Sequence, residues 1–193
     1  MAKTERQNLL LANCRVPSLH IKRDRNEMLA HPQWSKAYKL AETIVDAGKF
    51  CVLLGDRGNG KTQAAVELIR RSCILCKPAK YYRIREVGMA LRRAYDNTGM
   101  SEDAALRLFT DPYLLVLDEC QERPEKEWEM QQLTLILDIR YGEQRPTVLI
   151  ANAKPEVFTK MMGPAVTDRI HEGGRAITFN WQSFRRQASD PRT

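Results

Sequence analysis

The stretch KFCVLLGDRGNGKTQAAVELIRR, residues 49–71, changes character twice. The apolar run Phe50 to Leu54 reads as a buried strand, and from Lys61 onward the apolar positions recur at helical spacing. Between them Gly55, Asp56, Arg57, Gly58, Asn59, Gly60, Lys61 and Thr62 spell G-x-x-x-x-G-K-[ST], the phosphate-binding loop pattern. Its glycines let the backbone curl so that successive N–H groups point inward as an anion nest. The helix that follows adds its N-terminal partial positive charge at the same place. Lys61 is expected to reach the β- and γ-phosphates of a nucleoside triphosphate, and Thr62 to coordinate Mg²⁺ through its hydroxyl. Gln63 completes the expected nucleotide-contacting set. The plain alternative is a glycine-rich turn that only starts a helix.

Outward from this unit the chain alternates strands with helices. PQWSKAYKLAETIVDAG (32–48) is a helix stopped by Gly48, and AKYYRIR (79–85) a second strand. EVGMALRRAYDN and SEDAALRLFTD are amphipathic helices with a break near Thr98 and Gly99. YLLVLDEC (113–120) is an apolar strand ending in two acids, and EKEWEMQQLTLILDIRYG (125–142) a helix. TVLIAN (147–152) is a strand, and KPEVFTKMMGPAVTDRIHEGG (154–174) is helical with a break at Gly163–Pro164. RAITFN (175–180) is a last strand. Short apolar strands alternating with helices predict an α/β fold with a mostly parallel five-stranded sheet between helices. Ligands in such sheets bind at the carboxyl ends of the strands. Residues 1–33 read as an irregular arm with room for one short helix, 34–187 as the main domain and 188–193 as a polar tail.

Three further clusters fall at strand ends. Asp118 is placed to hold the Mg²⁺ shell, and Glu119 to orient and polarise a water attacking the γ-phosphate. Two acids that end a strand and cap a turn are the alternative. Asn152 can hydrogen-bond that water or the phosphate without adding negative charge, or simply form a turn. Arg169 could serve a neighbouring subunit's nucleotide as a finger, or pair with Asp168 or Glu172 on the surface.

Composition sets the outer limits. Hydrophobic residues make up 43% and charged residues 28%, a globular balance. The net charge of +7 makes polyanions plausible partners. From Lys77 to Arg93 six basic residues face one acid, with Tyr81 and Tyr82 among them, so the stretch could track a single nucleic-acid strand by phosphate contact and stacking. Tyrosines of this kind can equally be core. Nothing resembles a membrane span, and an odd number of cysteines, five, fits reduced thiols in a cytosol. Cys73 and Cys76 form a C-x-x-C without a second pair, so two packed thiols on a helix face are expected rather than a metal site. His20, His31 and His171 are scattered.

The order of phosphate loop, LLVLDE, strand-ending Asn152 and distal Arg169 resembles the layout of AAA+ ATPases. YLLVLDE, RYGEQRPTVLIAN, VTDRI and the closing FNWQSFR resemble more narrowly the DnaC-type helicase loaders and the related IstB-type transposition helpers. The resemblance covers about residues 34–187. It implies ATP and Mg²⁺ as ligands, slow switch-like hydrolysis, Arg169 as an arginine finger, and Arg185 near the nucleotide or a subunit contact. Arg140 matches a recurrent arginine of unassigned role. The partners implied are a replicative ring helicase and single-stranded DNA, with self-association through the Arg169 face, in a bacterial cytosol or for a phage or mobile element. The arm is shorter than the loaders' helicase-binding domain, so either TERQNLLLANC docks as a short helix or the partner is grasped differently. The IstB-type reading replaces the helicase with target duplex and a transposase. A small-molecule kinase and an interaction module that merely holds ATP are the remaining alternatives.

Overall fold

Five short apolar runs lie side by side in one sheet, and every pairing between them is parallel. The computed structural model describes residues 3–96, 100–122 and 126–184. Helices α1 (Lys3–Ala12), α2 (Ser18–Ile21), α3 (Arg25–Leu29) and α4 (Pro32–Asp46) precede β1 (Phe50–Gly55). Then come α5 (Lys61–Ile74), β2 (Ala79–Arg83), α6 (Ile84–Tyr95), α7 (Glu102–Thr110) and β3 (Leu114–Asp118). The chain continues through α8 (Glu127–Gly142), β4 (Thr147–Ala151), α9 (Pro155–Gly173) and β5 (Arg175–Phe179). The sheet order is β2-β3-β4-β1-β5, so the strand feeding the phosphate loop is interior.

Parallel neighbours cannot be joined by tight turns, so helices return the chain across both faces. Side chains of a strand alternate between those faces. Cys51 and Leu53 enter the layer formed with α4 and α5, while Phe50, Val52 and Leu54 enter the layer under α6 to α9. Both faces of β1, β3 and β4 are therefore dry, which is why these strands are apolar throughout.

Three sequence expectations change. The second strand ends at Arg83, because the Glu86 carboxylate accepts the Arg83 backbone N–H at 2.8 Å and opens α6 there. Residues 3–29 hold three helices where an irregular arm with room for one short helix is expected, and the first of them, α1, covers most of TERQNLLLANC. Leu10 and Leu11 pack on the core, Cys14 is fully buried, and Asp24 caps α3 by accepting from Asn26 N at 2.8 Å. Cys73 and Cys76 do not share a helix face: Cys76 lies past the end of α5 with φ +56°, and the Cys73 sulfur instead sits 3.4 Å from that of Cys14. All five cysteines are free thiols. The expected break in α9 is present at Gly163, where φ is +79°. The expected break near Thr98–Gly99 lies outside the described residues. Among the described residues no helix is long and apolar enough to cross a membrane.

Candidate nucleotide-binding site

β1 delivers the loop and α5 receives it. Gly58 and Gly60 take φ of +86° and +85°, the left-handed conformation that curls the backbone around an anion. A side chain at Gly60 would also meet Trp34 Nε1 at 2.7 Å. Two tryptophans brace the curl. Trp34 Nε1 donates to Gly60 O at 3.0 Å, and Trp181 Nε1 to Asn59 O at 3.1 Å. The Asn59 side chain answers by donating to Phe179 O at 2.9 Å and Trp181 O at 2.7 Å, and Phe184 N donates to Gly58 O at 3.1 Å. Asn59 is thus a staple to the segment after β5, its amide nitrogen committed to those two carbonyls.

Lys61 is almost fully buried, and its Nζ donates to Gly55 O at 2.8 Å and Asp56 O at 2.7 Å. Beside it Thr62 Oγ1 donates to Asp118 Oδ2 at 2.9 Å. The same carboxylate oxygen accepts from Tyr81 Oη at 2.7 Å, while Oδ1 accepts from Glu119 N at 2.6 Å. Burial, and the nearby Asp118 charge, push the Tyr81 hydroxyl well above its ordinary range, so it stays a donor. Glu119 sits with φ +56°, uncommon for a residue with a side chain. Burial raises its pKa above the usual carboxylate value, and Arg83, whose Nε lies 3.4 Å from Glu119 Oε2, opposes that rise.

Gly58 to Gln63, Asp118 and Glu119 line one cavity of about 310 Å³, a size suited to a small ligand. Arg57 and Asn152 reach it as well, and the Asn152 backbone is fixed by donating to Gln121 Oε1 at 3.0 Å. Paired hard oxygens from Thr62 and Asp118 suit Mg²⁺, and the amide-lined loop with Lys61 suits a polyphosphate. Arg169 is elsewhere. Its Nε is 2.5 Å from Asp138 Oδ1 on α8, its Nη1 donates to Ala165 O at 2.8 Å, and its guanidinium lies 5.9 Å from the Tyr141 ring centre. Neither expected surface partner, Asp168 nor Glu172, holds it. Tyr81 and Tyr82 are buried, which overturns their stacking on bases: one serves Asp118, and the other packs edge-on against Phe109. Arg185 lies outside the described residues.

Residues 36–191 match the family described as IstB-like ATP binding protein. The chain belongs to that family. This IstB-like protein is also 28% identical over 152 residues to the replicative helicase loader DnaC of Escherichia coli K12, across 78% of this chain and 62% of that one. It thus spans less than two thirds of that relative's length. Among solved structures, the crystal structure of the DnaC helicase loader superposes with a TM-score of 0.66 at 17% identity, covering 77% of this chain and 90% of that one. AMPPCP-bound DnaA from Aquifex aeolicus gives 0.67 at 17% identity, covering 77% and 47%. The fold is that of the AAA+ P-loop ATPases.

Several cavity residues of the IstB-like chain carry no sequence signal. His20 and Arg23 arrive from the N-terminal segment. Tyr81, which holds Asp118 from behind the lining, comes from a strand whose place beside β3 no local pattern announces. Arg140 gains a role: fully buried, it donates to the carbonyls of Phe109, Thr110, Pro112, Tyr113 and Pro146 and to Thr147 Oγ1.

Proposed function

We propose that this protein binds ATP with Mg²⁺ in the phosphate-loop cavity, hydrolyses it slowly, and acts as an ATP-switched loader of a replicative ring helicase onto single-stranded DNA. The observation that carries this reading is the 2.9 Å approach of Thr62 and Asp118 beside buried Lys61. The loop amides and Lys61 would hold the β- and γ-phosphates, and Thr62 with Asp118 the Mg²⁺. When bound, Mg²⁺ supplies charge neutralisation along the phosphates. Glu119, freed from Arg83, accepts a proton from the attacking water, and Asn152 orients that water by a neutral hydrogen bond. Lys61 steadies charge building on the phosphoryl oxygens. Arg169 would act across an interface between copies, after leaving Asp138. The helicase and DNA assignments rest on the likeness to a relative named as a replicative helicase loader.

The family match favours a second reading, a transposition helper that remodels target duplex and recruits a transposase. Co-purification from the native host, with and without Mg-ATP, separates the two. An ATP-dependent hexameric helicase is the expected companion; duplex-coating filaments would favour the second reading. Lys61→Ala is expected to abolish nucleotide affinity, and equal binding by both proteins would discard the site altogether.

A further inference from the structure

The cavity has a wall that the phosphate loop does not provide. His20 at the end of α2 and Arg23 in the turn after it both line the cavity. Arg23 is half-buried yet makes no hydrogen bond or ion pair among the described residues. A guanidinium in that condition, facing the phosphate loop, is a donor set suited to phosphate oxygens.

His20 is fixed more tightly. Its Nδ1 lies 3.1 Å from Gln63 Oε1. The Gln63 amide nitrogen is committed, donating to Glu67 Oε1 at 3.0 Å and His20 O at 3.3 Å. Gln63 Oε1 must therefore accept, so His20 Nδ1 carries the hydrogen, and in that tautomer of the imidazole Nε2 is the acceptor. Such an acceptor suits a donor on the nucleoside, a hydroxyl or an amino group, rather than another phosphate oxygen.

Beneath this wall lies Glu67, whose side chain is 1% exposed. Arg25 of α3 approaches it at 3.8 Å and Arg70 at 3.6 Å, and Arg70 also donates to Ile21 O. A buried carboxylate is costly unless hydrogen-bonded and paired, and here its partners are Gln63, Arg70 and the N-terminal segment. Further along, Lys80 Nζ donates to Asn13 O at 2.7 Å, Tyr81 N to Cys14 O at 2.9 Å, and Gln7 to Ile74 O at 2.7 Å. Residues 3–29 thus form a strap over α5 and the edge strand β2, and its middle touches the cavity.

The geometry points to a coupling device: His20 and Arg23 bind the nucleotide, and through the Gln63–Glu67 network nucleotide binding seats the N-terminal strap on the ATPase core. The inference rests on nucleotide binding in the phosphate-loop cavity, as proposed above. A ligand that contacts only the seated strap stabilises it by mass action, and the strap in turn raises ligand affinity by the same factor. A partner that grips α1 would then sense the nucleotide state without touching the loop.

Hydrogen–deuterium exchange on the full chain, with and without Mg-AMPPNP, tests this, alongside direct titration of the same nucleotide. Amides of residues 3–29 in the wild-type chain are expected to exchange on the order of 10-fold more slowly when nucleotide is bound. The double variant His20→Ala/Arg23→Ala should bind on the order of 10-fold more weakly. At saturating nucleotide it should protect the loop and the start of α5 but not residues 3–29. Glu67→Gln should loosen residues 3–29 even without nucleotide while the core amides hold. The device is overturned if nucleotide protects the loop while the strap exchanges unchanged, or if the double variant binds as tightly as wild type. A wild-type chain without affinity for Mg-AMPPNP would remove the nucleotide reading itself, and this inference with it.

Discussion

Glu119 is where the chemistry of single side chains is most exposed to test. Its carboxyl is pushed upward by burial and pulled back by Arg83. A base must be ionised to accept a proton, so hydrolysis should fall as pH drops through this raised value. The acid limb of the pH–rate profile is therefore expected above that of an ordinary carboxylate. Arg83→Ala removes the opposing charge and should move the limb further up, while Glu119→Gln should remove it along with most turnover. An acid limb unmoved in Arg83→Ala would separate Glu119 from Arg83. The identity of these acids was legible in LLVLDE, because an apolar strand that ends in Asp and Glu states its own direction. Their neighbours were not. Arg83 and Tyr81 reach the acids only because β2 lies beside β3, a long-range pairing with no local mark.

Helix α8 shows what an element can do through one residue. Arg140 in its last turn gathers carbonyls from the end of α7, the turn before β3 and the turn before β4. No carboxylate pairs with it among the described residues, and aligned carbonyl dipoles offset its charge instead. Lysine has three donors and no planar fork, so it cannot satisfy that ring. Arg140→Lys is expected to cost about 3 kcal/mol of stability by leaving buried carbonyls unpaired. Chemical denaturation of the two proteins measures it, and a difference within ~0.5 kcal/mol would show the turns hold without it. Helix and strand existence was legible from hydrophobic period throughout residues 32–184. In residues 3–29, α1 was legible as the short helix of TERQNLLLANC, but α2 and α3 were not, since charged residues are frequent there and part of their anchoring is polar contact to distant α5.

At the scale of the whole molecule, Arg169 lies outside the cavity lining and pairs with Asp138 of α8 instead. As the proposed arginine finger, Arg169 would act on the nucleotide of another copy, and turnover would then depend on assembly. Arg169→Ala is expected to leave nucleotide affinity within about 2-fold while lowering hydrolysis of assembled protein by roughly 1,000-fold. ATPase measurements across a range of protein concentrations check both, and undiminished turnover would return Arg169 to its pairing with Asp138. The segment after β5 has a different consequence. Of the three tryptophans, Trp34 and Trp181 both hydrogen-bond the backbone of the phosphate loop, whereas Trp128 lies tilted against Tyr95 on the opposite layer, ring centres 5.6 Å apart. The protein thus carries two native fluorophores wired to the loop, and a distant third as an internal standard, so the emission of the unlabelled chain can follow the curl in real time.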